Sequence, residues 1–435
     1  MATLAISKVR GVFYGWWIVL AGLISLSMSS GLFNNGFGFY FEPMRKEFGW
    51  SRTVLSGAVS LSRLESGFLG PIEGYFIQRF GPRIVMATGV VIFGIGFIML
   101  SLVDSVAMFY ISFLFLALGT TLSGWTPMTA SVNNWFRRNR AKAIGMAMLG
   151  LGLGGVLYSP FVARSVDKWG WETTALFSGI IIMAVGLPIS RLMRYSPEPY
   201  GYLPDGESPG AADGSQKKGA KKASKGQATV EKDFTVKEAL RTRSFWLMSI
   251  GHSMALVMIS ALSLHLVPYL ESDLGFSRGR AAQVVMMVAG VNMSFQFIGG
   301  FLGDRYPKNY LAMATMIGHG TGALLLATAD SFGQVLAAGV VHGMAWGVRG
   351  PVLTSMRGEY FGRKSFAMIM GFSSVVMMVG QVIGPIFAGF MADHYSYSSA
   401  LYVISGCAAV GAILFFFLRS PQPKAIVSNP SNEKT

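Results

Sequence analysis

Long apolar stretches separated by short polar segments run along almost the whole of this 435-residue chain. A helix needs about 20 mostly apolar residues to cross a hydrocarbon core of roughly 30 Å, and roughly twelve segments reach that length. The predicted spans are 13–41, 54–78, 84–103, 106–135, 141–165, 172–192, 244–270, 280–303, 310–328, 332–358, 366–392 and 398–418. The pattern therefore predicts an all-α membrane protein with twelve transmembrane helices.

Composition agrees with this prediction, since 52% of the residues are hydrophobic, 13% are charged and the mean hydropathy is +0.47. The net charge of +15 would suggest a nucleic-acid partner in a soluble protein. Here Lys and Arg collect in the segments on one side of the predicted spans, including the span ends, and only Arg63 and Arg349 are expected well inside a helix. The positive-inside rule then predicts that both termini lie in the cytoplasm and that the protein spans a cell membrane, inner or plasma. The positive charge is therefore interpreted as a topology signal, and no nucleic-acid partner is predicted.

Several other classes of site are disfavoured by the sequence. Cys407, the only cysteine, lies in the last predicted span, so neither an intrachain disulfide nor a thiolate metal site is expected. The glycine run at 150–155 lies in an apolar span and lacks the Lys-Ser/Thr ending of a phosphate-binding loop. No nucleophile, base and oxyanion donor recur at a usable spacing, so the chain is not expected to be an enzyme. No cofactor or metal is predicted.

The segment 193–243 divides the spans six and six, and its polar, lysine-rich part at 208–227 is predicted to be disordered. We therefore expect a first six-helix bundle at 1–192, a second at 244–419 and a cytoplasmic tail at 420–435. The halves echo each other, because 74–83 matches 300–308 at an offset of 226. Two such pseudo-symmetric bundles are the architecture of secondary transporters, which bind substrate between the halves near mid-membrane.

The two repeated loops resemble the signature Gly-x-x-x-Asp-Arg-x-Gly-Arg-Arg of the major facilitator superfamily. The matching residues are Gly74, Arg79, Gly81 and Arg83 in the first copy, and Gly300, Asp304, Arg305 and Lys308 in the second. The first copy has Gln78 where the signature has its acid. The resemblance implies that these loops latch the two halves together on the cytoplasmic side, with a weakened first latch.

Within that superfamily, 14–19 and 70–86 look like the monocarboxylate porter branch, which includes oxalate/formate-type exchangers, and the likeness covers roughly 13–419. Characterised porters of this branch carry an acid and an arginine in helix eight and a lysine in helix one. In this chain helix eight offers Asn292 and Gln296, and helix one offers Asn34 and Asn35. The resemblance therefore implies a carrier of small organic anions but fixes neither its substrate nor its coupling.

The tenth predicted span carries His342, Trp346 and Arg349 at i, i+4 and i+7, which places them on one stripe of a helix. A guanidinium near mid-membrane needs a partner or a wet cavity, and its planar fork suits a carboxylate. We expect Arg349 to anchor the carboxylate, Trp346 to shape the pocket and His342 to donate a hydrogen bond or a proton. The alternative is a structural ion pair between Arg349 and Glu65 or Glu73.

Other polar residues within spans are weaker candidates. Trp125 is the repeat counterpart of Arg349 at an offset of 224 and would give the cavity an aromatic wall, although it could equally be a packing residue. The uncharged candidates for the cavity, or for ties between helices, are Asn34, Asn292, Gln296 and Gln381. The candidates for proton coupling are His265 and Glu65, whereas His319 is assigned to packing. Arg63 lies on the face of helix two that, by the resemblance to the superfamily, is expected to pack against helix eleven.

Taken together, these features predict a secondary active transporter that moves a small organic anion, most simply a monocarboxylate, by alternating access with proton coupling or exchange. The expected partners are that anion, protons and the lipid bilayer, and the chain is expected to act as a monomer. An efflux permease for lipophilic or drug-like compounds is the alternative within the same class. A membrane receptor without flux is the alternative from another class.

Overall fold

The computed structural model describes residues 12–50, 52–206 and 233–421. Within these ranges the chain forms long helices, which we number α1 to α12. The first half contains α1 (Gly15–Phe48), α2 (Arg52–Phe80), α3 (Pro82–Leu100) and α4 (Val106–Trp135), followed by α5 (140–169) and α6 (171–190). The second half contains α7 (Arg243–Ser272), α8 (Arg278–Arg305), α9 (Lys308–Ala327), α10 (Phe332–Phe361), α11 (Phe366–His394) and α12 (Tyr397–Phe416). Each of the twelve predicted spans corresponds to one of these helices.

Helices α1 and α4 are irregular, and α5 and α6 are joined without a loop. A π-helical turn, Ser29–Asn34, interrupts α1, and Gly124 with φ −107° and ψ −107° divides α4. Gly170 separates α5 from α6 with φ +80° and ψ 164°, a conformation that an L-residue with a side chain rarely adopts. The two helices therefore follow each other without the loop that the sequence predicted between 165 and 172.

By length and apolar character, ten of the helices in the described part of the chain could cross a membrane. The two that fall below that standard are α2 and α10, which carry Glu65, Glu73, Arg349 and Arg357. Charged residues in a membrane protein normally face the interior of the bundle or a water-filled cavity. The charges that weaken the hydropathy of these two helices therefore point to where polar chemistry is located.

Each half has its own apolar cores, and one further core is shared. In the shared core Ile77, Val85 and Ala130 of the first half pack against Phe366, Met370 and neighbouring residues of the second. It lies toward the end of the bundle at which α1 begins and α12 ends, called here the terminal end. The predicted disordered linker at 208–227 and the tail from 422 lie outside the described residues, whereas 233–243 includes a one-turn helix, Val236–Leu240.

Glycines allow the two halves to approach closely at the terminal end. A Cβ placed on Gly371 of α11 would lie 2.1 Å from the carbonyl oxygen of Gly70 on α2, and one on Gly145 of α5 would lie 2.6 Å from the carbonyl oxygen of Gln296 on α8. Small residues at such positions let helix backbones come into contact. The deepest of these contacts on α2 is at Gly67, about 20 Å from the helix end at 1.5 Å per residue. The halves thus meet from the terminal end to about mid-helix.

The loops predicted to latch the halves do so asymmetrically. The carboxylate of Asp304 accepts hydrogen bonds from the backbone amides of Ala141 and Lys142 at the start of α5, at 2.8 and 2.9 Å. The equivalent residue of the first copy, Gln78, instead donates its amide to the carbonyl of Lys364 at 3.2 Å. A carboxylate at a helix N-terminus is stabilised by the unpaired backbone amides and by the helix dipole. A neutral amide side chain such as that of Gln78 gains less from the same position.

Two further carboxylates occupy related positions at the terminal end. Asp205 accepts from the backbone amides of Arg137, Arg138 and Asn139, and Asp233 accepts from those of Arg363 and Lys364. Arg137 and Arg363 are related by the same offset of 226 as the repeated loops. The described residues that flank the basic linker are therefore fastened to equivalent loops of the two halves.

An ion pair joins the halves on the same surface. Nη1 of Arg363 lies 2.9 Å from an oxygen of Glu198 and donates to the carbonyl of Asn134 at 2.9 Å. Burial alone would raise the pKa of Glu198, but a backbone amide and Arg363 donate to its carboxylate and leave the pKa below its usual value. The terminal end is thus closed by hydrogen bonds and an ion pair to carboxylates as well as by the close glycine contacts.

Candidate functional site

A cavity of about 610 Å³ lies between the two halves on the side away from the closed terminal end. α1, α2 and α4 of the first half and α7, α10 and α11 of the second contribute most of its wall. The wall residues with polar or aromatic side chains include Asn34, Glu73, Trp125, Thr126, His252, Trp346, Arg349 and Gln381. Methionines 148, 370, 377 and 378 supply much of the remaining apolar surface.

Arg349 is the permanent cation of this wall. Its side chain is 5% exposed, and its Nε and Nη1 atoms are buried without a hydrogen-bond partner among the described residues. Neither Glu65 nor Glu73 lies within ion-pairing distance, so the structural ion pair considered as the alternative is not present here. An unpaired buried guanidinium is costly unless a ligand satisfies its donors, and Arg349 borders the cavity between the halves.

The stripe of α10 divides between two environments. Trp346 lines the cavity with Arg349, but His342 turns toward α9, where its Nδ1 lies 3.2 Å from Nδ1 of His319. The two imidazole centroids are 4.9 Å apart. Because one Nδ1 must donate and the other accept, the pair holds a single proton between its rings. His319, assigned to packing from the sequence, is therefore a hydrogen-bond partner, and His342 is not a cavity wall residue.

A second buried arginine lies behind the wall. Arg357 is 1% exposed, and its Nη2 donates to Nδ1 of His252 at 3.0 Å. Since a guanidinium can only donate, Nδ1 of His252 must accept, which makes the imidazole neutral and places its proton on Nε2. His252 lines the cavity, so the Nε2–H group is a donor that Arg357 holds in one tautomer.

Sequence reasoning missed this pair. The predicted tenth span, 332–358, already contains Arg357, but its charge was counted with the cytoplasmic segment that follows and not with the helix, which continues to Phe361. Continuing the helical period to the end of that span would have placed Arg357 about two turns beyond Arg349 and within about 80° of it around the helix.

The uncharged candidates also separate. Asn34 and Gln381 line the cavity, and Trp125 does so from the half opposite Arg349. Asn292 and Gln296 are buried on α8 away from the cavity, where Nε2 of Gln296 donates to Oδ1 of Asn292 at 2.8 Å. This bond pairs one atom of each amide one turn apart, on a helix that packs against α5 and α10, while Nδ2 of Asn292 and Oε1 of Gln296 are buried without a partner among the described residues.

The two residues predicted for proton coupling lie outside this cavity. His265 is placed between Pro385, whose carbonyl is 3.0 Å from Nε2, and Tyr397, whose hydroxyl is 3.3 Å from Nδ1. Glu65 is partly exposed and absent from the cavity wall. The side chain of Arg63 lies outside the described residues.

Another carboxyl, Glu73, occupies the cavity wall instead. It is 2% exposed, and its Oε2 accepts a hydrogen bond from the hydroxyl of Thr126 at 2.7 Å, while Oε1 is buried without a partner among the described residues. It lies about 10 Å from the end of α2, closer to the closed terminal end than Arg349, which is about 18 Å from the end of α10.

Comparison with known proteins places these features in a family. Residues 23–327 and 253–434 match the model of the Major Facilitator Superfamily. The chain is 25% identical to the oxalate:formate antiporter of Oxalobacter formigenes, covering 96% of both chains. It is 23% identical to monocarboxylate transporter 2 of Mesocricetus auratus, covering 93% of this chain and 84% of that protein.

Solved structures show the same fold. A proton:xylose symporter superposes with a TM-score of 0.67 at 15% identity, over 93% of this chain and 96% of that one. The Escherichia coli fucose:proton symporter superposes with a TM-score of 0.68 at 16% identity, over 94% of this chain and 98% of that one. With the family model matched along most of its length and a cavity between two six-helix halves, this chain belongs to the major facilitator superfamily, a family of membrane transporters rather than enzymes.

Proposed function

We propose that this transporter carries a small organic anion, most simply a monocarboxylate, by alternating access. The observation that carries the proposal is Arg349, a buried guanidinium with unpaired donors in the wall of the cavity between the halves. Two charge-assisted hydrogen bonds from one guanidinium fit the geometry of a carboxylate, and such bonds are about twice as strong as neutral ones. The named relatives that transport oxalate, formate and monocarboxylates support the same substrate class.

The remaining wall suits a substrate with one charged end and a short apolar body. Nε2–H of His252 supplies a second donor on the same half as Arg349. Trp125 and Trp346 provide aromatic surfaces, and the methionines provide adaptable apolar contact. We place the protein in the cell membrane with its terminal end toward the cytoplasm, because Lys and Arg are concentrated in the segments at that end. The structure then corresponds to the state open away from the cytoplasm.

Counterflow in proteoliposomes tests the proposal. Vesicles loaded with unlabelled pyruvate should take up labelled pyruvate transiently above its equilibrium level, and excess formate or lactate should inhibit that uptake. An efflux permease for neutral compounds would be insensitive to these anions. A receptor without flux would bind pyruvate but show no counterflow, and either result would contradict the proposal.

The buried pair behind the wall gives a prediction for substrate affinity. Arg357→Met should raise the KM for pyruvate about tenfold and leave the maximal rate within about twofold, because His252 loses the donor that fixes its Nε2–H group, worth about 1.4 kcal/mol. The replacement also leaves Nδ1 of His252 without a donor, at a cost of about 1–3 kcal/mol in stability, so rates are compared at a matched density of folded protein. The matched control is Arg241→Met at an exposed position, and a fall in maximal rate without a change in KM would assign Arg357 a purely structural role.

The asymmetric latch gives a prediction for the conformational equilibrium. Asp304→Asn should lower the population of the closed terminal end about five- to tenfold, because two backbone amides lose a charged acceptor worth about 1 kcal/mol. Gln78→Asp should act in the opposite direction by supplying the first copy with the missing acid. A thiol probe applied from the terminal side to a cysteine placed in the cavity, with Cys407→Ser as background, would report both changes. Asp330→Asn on an exposed loop is the control.

A further inference from the structure

Glu73 and Arg349 line the same cavity from opposite halves, and the described residues give neither an ionic partner. Holding a lone charge of either sign in such a site is costly. The two groups also have no repeat equivalents of the same kind, since Gly299 corresponds to Glu73 at the offset of 226 and Trp125 corresponds to Arg349. The cavity thus contains one acid and one cation that the duplicated fold does not require.

Few other groups around Glu73 can compensate the charge of its carboxylate. Thr126 of α4 donates to Oε2, and α11, which packs against this part of α2, contributes Gly371, Ser374 and Met378. Across the cavity the charged or titratable groups are Arg349 on α10 and His252 on α7, and Arg357 lies behind His252. His252 already accepts from Arg357 through Nδ1, so it is poorly suited to take up a proton there.

We propose that Glu73 carries the coupled proton, and that it binds this proton when a substrate carboxylate occupies Arg349. In the empty carrier, ionised Glu73 balances the charge of Arg349. In the loaded carrier, the substrate carboxylate balances Arg349 and a proton on the free Oε1 neutralises Glu73. The site, counted with any bound substrate, is electrically neutral in both forms, so each form can pass through the closed state without an uncompensated charge.

The stoichiometry follows from this balance. One proton enters the cavity with one carboxylate on one side of the membrane, and both leave on the other side. The proton and the carboxylate together move no net charge across the membrane. A carboxylate bound without the proton would leave an extra negative charge in the cavity, which disfavours movement of the singly loaded carrier. This inference rests on the proposed carboxylate transport and assigns the coupling to a residue other than His265 or Glu65.

Glu73→Gln tests the assignment because glutamine imitates the protonated acid. The variant should still exchange labelled pyruvate for unlabelled pyruvate at no less than about a third of the wild-type rate. Accumulation driven by an imposed pH gradient, and pyruvate-evoked proton entry measured with an entrapped dye, should each fall at least tenfold. Wild-type accumulation by Glu73→Gln would overturn the inference, and so would a wild-type protein that exchanges pyruvate but does not respond to a pH gradient. Absence of pyruvate exchange in the wild-type protein would instead contradict the proposed function.

A second variant keeps the carboxyl and changes only its donor, in case glutamine impairs folding. Thr126→Val removes the hydrogen bond that favours ionised Glu73, so the proton should remain bound at higher pH. The pH of half-maximal uptake should therefore move to more alkaline values by roughly half a unit or more. Thr129→Val, whose buried hydroxyl bonds only to carbonyls of its own helix, should leave the profile in place. An unchanged profile in Thr126→Val would overturn the assignment.

Discussion

Replacing Arg349 with glutamine is expected to lower the rate of pyruvate uptake at subsaturating substrate at least 100-fold. Loss of a buried, hydrogen-bonded charge pair with the substrate costs about 3 kcal/mol or more, which corresponds to two orders of magnitude. Lysine at the same position keeps the charge but not the planar fork, so it should restore only part of the activity. Uptake by purified protein at a matched density in proteoliposomes measures both effects.

Arg191→Gln, at an exposed position on the terminal side, is the control for loss of a positive charge. A variant without Arg349 that retains the wild-type KM and rate would remove the proposed anchor. The family membership and the fold would be unaffected, because they depend on the helices and not on this residue.

Gly371→Leu is expected to have the second largest effect, a loss of exchange of at least 100-fold. A Cβ on Gly371 would already lie 2.1 Å from the carbonyl oxygen of Gly70 and 2.5 Å from its carbonyl carbon. Both atoms belong to backbone, so no side-chain adjustment relieves the overlap and α2 must separate from α11. A carrier that cannot close its terminal end cannot complete the alternating cycle.

Gly406→Leu provides a matched control on the exposed face of α12, where an added Cβ meets no atom within 4 Å. The Gly371 variant should also expose a cavity cysteine to a thiol probe from the terminal side, whereas the control should not. Normal exchange by Gly371→Leu would show that the close contact between α2 and α11 is dispensable.

The helices could be predicted from the sequence because a long apolar segment in a membrane has few ways to satisfy its backbone. A helix satisfies every amide internally, so twelve apolar runs of sufficient length gave twelve helices. The joint at Gly170 was placed less well, since one residue with positive φ can replace a whole loop and leaves only a single glycine as its signal. Helix ends such as Phe361 were also uncertain, because polar residues continue a helix as readily as they end it at the membrane surface.

The cavity was harder to predict, because helical periodicity shows which residues share a face of a helix but not which helix or cavity that face meets. His342 and Arg349 share a stripe, yet about 10 Å of helix separates them, and α9 covers one while the cavity opens at the other. The same limit applies to Asn292, which lies away from the cavity and whose amide oxygen accepts a hydrogen bond from Gln296 one turn along the same helix. Glu73 was considered only as a partner for Arg349, since nothing in the sequence indicates that the two acids of α2 differ in their access to the cavity.

Equilibrium binding to the purified protein tests the central claim most directly, because it separates recognition from movement. We expect pyruvate to raise the thermal midpoint of the wild-type protein in proportion to its concentration, whereas pyruvamide, its neutral amide, should not. Arg349→Gln should bind neither compound detectably over the same range. Equal binding of pyruvate and pyruvamide by the wild-type protein, or undiminished binding of pyruvate by Arg349→Gln, would contradict the account of Arg349 as the carboxylate anchor.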